Sequence, residues 1–245
     1  MKTLKFAALI GLVCLGSNAM ANTLVAPGNL ASTEGDSNNA YPFNISDFSL
    51  NSQRYQQVYN ASIFSSLPAG GVIITGIAFR VDDGTGKSFS STLSDIQLDL
   101  STTSAGESTL SSTFANNVGA NDTIVYARGA LSLSGTVGSS PNPFNVIITF
   151  SQPFLYNPAT GNLLLDVRNY GGGLTTQFDS TELAGDGIGR AVTYQGSGVN
   201  SATATFVDAQ GLVTEFIYQT VPEPSTLALA GLSGLSLLLF RRQRK

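Results

Sequence analysis

The chain has 245 residues, a formal net charge of −4 and 42% hydrophobic residues. It contains no histidine and no tryptophan, and its single cysteine, Cys14, lies close to the N-terminus. These absences exclude a Ser-His-Asp triad and histidine metal ligands. If a leader containing Cys14 is removed, they also exclude disulfides, zinc–thiolate sites and cysteine nucleophiles.

The first 21 residues have the pattern of a secretory signal peptide. Lys2 and Lys5 form a positively charged start, and an apolar run follows at residues 6–15. Ala19-Met20-Ala21 is an A-x-A cleavage site. We therefore predict export by Sec-type machinery and a mature chain that begins at Asn22.

Residues 22–220 form the predicted exported domain, and this domain is acidic. The signal contributes +2, and the segment 221–245 contributes +4 from basic residues and −1 from Glu223, so residues 22–220 carry −9. An acidic surface disfavours nucleic acid and anionic lipid. It is compatible with Ca²⁺ or neutral glycans, and it also serves solubility alone. A domain of this length can bury one sizeable core.

The hydrophobic pattern of this domain is that of β-strands. Residues 95–100 alternate strictly, with Ile96, Leu98 and Leu100 on one face, as in a half-buried strand. Gly, Pro, Asn and Asp separate the candidate strands. We predict an all-β fold, an antiparallel β-sandwich that is jelly-roll-like; a lectin-like sandwich with different connectivity would give the same pattern. Further strands are predicted at residues 56–64, 72–81, 124–127, 130–133, 144–150, 163–167, 191–194, 203–207 and 212–218.

Two polar segments are predicted to lie outside the sandwich. Residues 31–40 have the composition of a loose arm. Residues 101–113 are rich in Ser and Thr, which is typical of a long exposed loop or of a glycan-accepting segment.

The turn after the strand at 72–81 offers two motifs. Asp82 and Asp83 precede glycines and could supply oxygen ligands to Ca²⁺, but an acidic β-turn has the same pattern and the spacing is not that of an EF-hand. Gly86-Lys87-Ser88 is similar to the end of a P-loop, but Val81 stands where the first glycine is required, so a turn is predicted.

Carboxylates and tyrosines are the remaining candidate groups. A pair of carboxylates across a cleft could hydrolyse glycosides, and four are available, but the sequence places no pair across a cleft. Tyrosines could stack on sugar rings in a carbohydrate-binding module, and they could equally fill the core. We predict no catalytic, cofactor-binding or metal-binding residue. The four carboxylates are Asp166, Asp179, Glu182 and Glu215, and the tyrosines are Tyr55, Tyr59, Tyr170 and Tyr194.

The C-terminal segment 221–245 has three parts. Val221-Pro222-Glu223-Pro224 is held extended by its prolines, as a processing enzyme requires of a bound peptide. Residues 225–240 carry no charge and would span roughly 24 Å as a helix, somewhat less than the ~30 Å bilayer core. We predict a transmembrane helix whose basic end stays cytoplasmic. That end consists of Arg241, Arg242, Arg244 and Lys245.

This arrangement resembles the PEP-CTERM sorting signal of Gram-negative bacteria. The resemblance implies that exosortase, a membrane transpeptidase, recognises the Pro-Glu-Pro segment and removes the tail. It further implies a transient membrane anchor, and then a place at the cell surface or in the extracellular matrix, often beside exopolysaccharide in a biofilm. Segments within residues 22–220 are also similar to exported proteins of this family, which share a β-sandwich-like body. We therefore expect a non-enzymatic surface or matrix protein; the alternatives are a carbohydrate-binding module and a glycoside hydrolase.

Overall fold

The computed structural model describes residues 21–194 and 198–221, and the regular structure in them is dominated by antiparallel strands. The only helices in these residues are short 3-10 turns, so none of them is of a length and apolarity that would cross a membrane. The strands are β1 (Asn22–Ala26), β2 (Ser37–Asn39), β3 (Gln53–Tyr59), β4 (Val72–Phe79), β5 (Phe89–Thr103), β6 (Thr123–Gly135), β7 (Val146–Tyr156), β8 (Asn162–Asn169), β9 (Phe178–Thr181), β10 (Ile188–Val192), β11 (Phe206–Asp208), β12 (Gly211–Leu212) and β13 (Thr214–Thr220).

Two large sheets form the sandwich, and the chain has a small third sheet among the described residues. The four-stranded sheet has the order β1-β13-β4-β7, and the six-stranded sheet has the order β11-β10-β3-β8-β5-β6. With β2 set aside, the strands from β1 to β8 and then β13 have the order of a jelly roll: β5 and β6 are neighbours in one sheet, and every other successive pair changes sheets. The third sheet, β12-β9-β2, comes mainly from the insertion between β8 and β13. The predicted all-β antiparallel sandwich is confirmed.

The core lies between the two larger sheets. Ile96, Leu98 and Leu100 all point into it, as the alternation of β5 predicts. Across the core, the Phe216 ring of the four-stranded sheet meets the Tyr59 ring of the six-stranded sheet edge to face, with centroids 5.0 Å apart. Such contacts add about 0.5–1.5 kcal/mol to the stabilisation that burial of each ring provides.

Several predicted strands have different bounds in the structure. The predicted strands at 124–127 and 130–133 form the single strand β6, and the prediction at 56–64 ends in a 3-10 turn, Ala61–Phe64. The structure adds three strands that the pattern does not predict, β1, β2 and β9. Two of these, β2 and β9, lie in the small sheet and are rich in polar residues.

The prediction of a loose arm at residues 31–40 is wrong. This segment contains β2, and the buried guanidinium of Arg80 fastens the chain just before it by donating from Nη2 to the carbonyl oxygens of Leu30 and Thr33 at 3.0 and 2.5 Å. Gly35 packs so closely on β9 that a Cβ there would lie 2.1 Å from the carbonyl oxygen of Ser180. A polar segment is therefore held by backbone contacts that its composition does not reveal.

The prediction of an exposed loop at residues 101–113 is also wrong in its main part. The segment begins inside β5, and the chain after it folds back over the outer face of the six-stranded sheet. Leu110 and Phe114 pack there on Val58 and Leu164 and form a second, smaller core. The driving force is burial of these apolar side chains, which the surrounding Ser and Thr residues obscure in the sequence.

The predicted signal segment lies outside the described residues except for Ala21, and the predicted tail lies outside them except for Val221. The signal helix and the transmembrane helix therefore stay predictions.

Candidate functional site

The outer face of the six-stranded sheet carries a band of polar side chains where a solvent-facing strand surface is expected. Along β3, Arg54 and Gln56 alternate with the core residue Tyr55, and along β8 Asp166 and Arg168 alternate with Val167. The register places Arg54 opposite Arg168 and Gln56 opposite Asp166. On the other side of β8, the residues opposite Asp166 and Arg168 are Asp99 and Gln97.

Asp166 is the centre of an ion-pair network in this band. Arg54 donates to it from Nε and Nη2, at 3.1 and 2.6 Å, in a bidentate pair. Gln56 Nε2 donates to the same carboxylate at 2.9 Å, and Arg168 Nη2 lies 3.4 Å from it. Because the Asp166 side chain is only 2% exposed, these donors compensate for the desolvation of its charge.

Asp99 extends the network to the next strand. It accepts two hydrogen bonds from Gln97 Nε2, at 2.9 and 3.0 Å, and lies 3.0 Å from Arg168 Nη1. Burial raises the pKa of Asp99 to about 6, although the bonds from Gln97 and the charge of Arg168 act to lower it. Burial and the negative charge of Asp166 also raise the pKa of Asp122.

A groove of about 410 Å³ opens over this network. Its floor is formed by Arg54, Arg168 and Tyr170, and its walls come from the segments around Thr113 and around residues 199–202. The two walls are joined, because Phe114 N donates to the Ala202 carbonyl at 3.2 Å and Thr113 forms a bridge with Thr203. The groove therefore lies between the sheet and two loops that are hydrogen-bonded to each other.

The tyrosines considered for sugar stacking are in three different places. Tyr55 and Tyr59 are fully buried in the core, so they cannot contact a ligand in this fold. Tyr170 lies in the groove, with the Arg128 guanidinium 3.7 Å from its ring centroid. Arg128 is held in turn by a bidentate hydrogen bond to Asp95, which lowers the pKa of that carboxyl.

Tyr194 belongs to a separate row of aromatic side chains near the β10–β11 edge. Its ring lies 6.1 Å from that of Tyr41 and 5.8 Å from that of Phe206, and Tyr41 lies 5.4 Å from Phe48. Neighbouring rings are tilted by 49–63°. This row is partly exposed but is not a flat platform for a sugar ring.

A second polar cluster surrounds Arg80. One carboxylate oxygen each from Glu34, Asp82 and Asp179 lie within 4.8 Å of one another, and oxygens of this kind suit Ca²⁺. Arg80 already supplies positive charge here, since its Nε lies 2.6 Å from Asp179 Oδ2 and 3.8 Å from Glu34 Oε2.

Asp82 itself behaves as the predicted turn residue. Its Oδ1 accepts from the Thr85 N–H and hydroxyl at 2.6 and 2.7 Å and from Gly84 N at 3.1 Å. Asp83 donates its backbone N–H to Glu34 Oε1 at 3.0 Å. The sequence predicts the turn, but the approach of Glu34 and Asp179 to it depends on the tertiary fold.

The four carboxylates considered for hydrolysis lie on different elements. Asp166 is bound by arginines on the six-stranded sheet, and Asp179 is bound by Arg80 in the small sheet. Glu215 lies in β13 of the four-stranded sheet, and Glu182 follows β9. Among the residues described, the structure therefore does not bring these four groups to one cleft.

The sequence reasoning missed Arg54 and Arg168. The signal that could have found them is the alternation itself, because charged residues at every second position of otherwise buried strands mark an outer face.

The C-terminal segment settles part of the identity. Residues 220–245 match the family model of the PEP-CTERM protein-sorting motif. This chain carries a PEP-CTERM sorting motif. The matched segment starts one residue before the predicted boundary at Val221 and includes Pro222, Glu223, Pro224 and the basic end. No curated protein and no solved structure matches the chain.

The PEP-CTERM motif marks an exported protein that exosortase sorts, with a transient membrane anchor before the protein reaches the surface. In the structure, the motif begins at the last residue of β13, Thr220. The jelly roll thus directly precedes most of the motif, and the groove belongs to its six-stranded sheet.

Proposed function

We propose that this chain is a non-enzymatic protein of the cell surface or extracellular matrix, exported through Sec-type machinery and associated with exopolysaccharide. The observation that carries the proposal is the position of the sorting motif, which begins at the last residue of the final strand of the domain. A domain of this kind is released as a folded unit when the tail is removed.

The ion pairs of the carboxylates around the groove also support a non-enzymatic role. Asp166 and Asp99 are both engaged by guanidinium groups, so neither is placed as a free acid or base beside a reacting bond. The domain carries −9, which favours solubility outside the cell and disfavours nucleic acid as a partner.

The first experiment measures the intact mass of the protein recovered from a host that has an exosortase. We expect a chain that starts at Asn22 and ends near Pro222. The matched variant Glu223→Gln keeps the apolar run and the basic end, and we expect it to stay in the membrane fraction with the tail attached. Unchanged surface delivery after deletion of residues 221–245 would contradict the proposal.

The association with exopolysaccharide is tested in a strain that makes none. The processed protein should then move from the cell-surface fraction to the medium, while a surface protein anchored in the outer membrane serves as the control. If the protein stays on the surface of that strain, the polysaccharide is not what retains it.

A further inference from the structure

We propose that the groove over Arg54 and Arg168 binds a neutral saccharide. The inference deepens the proposed function by naming the ligand class of a particular site, and the two can fail separately. It depends on three properties of the groove: fixed donors that are still free, a balanced charge and mixed apolar and polar walls.

The donors are held in place before any ligand arrives. Arg54 is only 14% exposed, is bound bidentately to Asp166, and stacks on the Phe114 ring at 4.7 Å. Its Nη1 and the Nε of Arg168 have no hydrogen-bond partner among the described residues, although both side chains line the groove. Donors that are already ordered lose little conformational entropy on binding, which favours a weakly held ligand such as a sugar.

The charge of the groove favours a neutral ligand over an anion. The positive charges of Arg54 and Arg168 are matched by Asp166, which contacts both, and by Asp99, which contacts Arg168. Asp122 lies close enough to interact electrostatically with all four groups. A carboxylate or phosphate would therefore meet no net positive potential, and the −9 domain would repel it. Hydroxyl groups both donate and accept, so they can use the free guanidinium donors without adding charge.

The walls provide what the two faces of a sugar need. Tyr170, Val199 and the methyl groups of Ala115 and Ala202 offer apolar surface to C–H groups. Thr113, Asn200 and Ser201 offer further polar atoms at the rim. The volume of about 410 Å³ lies in the range of small-ligand sites, which fits one or two sugar units of a longer chain.

The test uses the full-length chain purified in detergent and the variant Ala115→Trp. Ala115 is exposed, so a tryptophan there fills the groove without entering the core. The matched control is Ala159→Trp, which is also exposed and lies in the 3-10 turn before β8, at the end of that strand away from Arg168. The probes are dextran, a mannan, a galactan and a β-glucan as neutral polymers, with alginate and polygalacturonate as acidic ones.

We expect binding to at least one neutral polymer, weakened about tenfold or more by Ala115→Trp and unchanged by Ala159→Trp. A second variant, Asn200→Ala, removes an exposed rim side chain and should weaken binding about threefold with an unchanged unfolding temperature. Binding should change little between low and high salt, because no ion pair forms with the ligand.

Three results overturn the inference. The first is an absence of binding to every neutral polymer, and the second is preferential binding to alginate or polygalacturonate with strong salt dependence. The third is neutral-polymer binding that Ala115→Trp leaves intact but that Phe206→Ser in the aromatic row abolishes. None of these results bears on tail processing or surface delivery, so the proposed function can stand when the groove assignment fails.

Discussion

Glu34→Gln is expected to stabilise the protein above neutral pH and to leave its stability unchanged in acid. Burial raises the pKa of Glu34 from 4.5 to about 7, although the Asp83 N–H and Arg80 act to lower it. The folded state thus keeps a proton that the unfolded state releases near pH 4.5, so wild-type stability falls as the pH rises from 4.5 to 7. Glutamine has no charge to bury, and its amide oxygen can still accept from Asp83.

The magnitude follows from the two pKa values. Their separation corresponds to at most about 3.4 kcal/mol, and partial exposure of the Glu34 side chain (21%) reduces this to about 1–2 kcal/mol. For a domain of this size, that is a rise in Tm of roughly 2–8 °C at pH 8. At pH 4 the carboxyl is protonated in the folded wild type, so we expect the two melting temperatures to agree.

The assay is thermal unfolding of the full-length chain in detergent at pH 4, 6 and 8, with a chelator to remove divalent cations. The control is Glu182→Gln, which makes the same substitution at an exposed carboxylate. A lower Tm for Glu34→Gln at pH 8 would refute the reasoning, because it would mean that the ionised carboxylate gains more from Arg80 than its burial costs.

Three further predictions test the packing and the ion pairs by denaturant unfolding. Asp166→Ala should lower the free energy of unfolding by about 3–5 kcal/mol, because it leaves two guanidinium groups without their shared buried partner. Asp95→Ala, at the exposed pair with Arg128, should lower it much less, and equal losses would contradict this account. Phe216→Ala should cost about 3–5 kcal/mol by opening a cavity between the sheets, and a loss below 1 kcal/mol would mean that the sheets close over it. Gly35→Ala should cost about 1–3 kcal/mol, because its Cβ has no room against β9; an unchanged midpoint would show that the arm can move away.

The sequence predicts the fold well where a strand has one apolar face. The alternation at residues 95–100 identifies the inward face of β5, and long β-branched runs identify β4. The sequence pattern does not predict a strand that forms only because it pairs with a neighbouring strand. Residues of β2 are Ser and Asn, which have low strand propensity, and they become a strand only because β9 lies beside them.

The candidate groove was less predictable than the fold. Its parts come from β3, β8 and the loops on either side, and only the register places Asp166 between two arginines. The loop walls could not be predicted either, because Leu110 and Phe114 are separated by polar residues and their burial depends on an apolar spot on the sheet beneath them. By contrast, the sorting motif consists of consecutive residues, so it can be recognised from the sequence without knowledge of any tertiary contact.

The pairing of β1 with β13 brings together the two ends of the jelly roll, which lie next to the predicted signal-cleavage site and the sorting motif. Asn22, the residue at which the mature chain is predicted to begin, lies opposite Tyr218, two residues before the sorting motif starts. Since β13 lies between β1 and β4, β1 can join the four-stranded sheet only after β13 is in place. If the chain is exported N-terminus first through Sec-type machinery, as we propose, this sheet is completed only at the end of export. A force on the tail directed toward the membrane would then act along β13, an inner strand that is hydrogen-bonded to both β1 and β4.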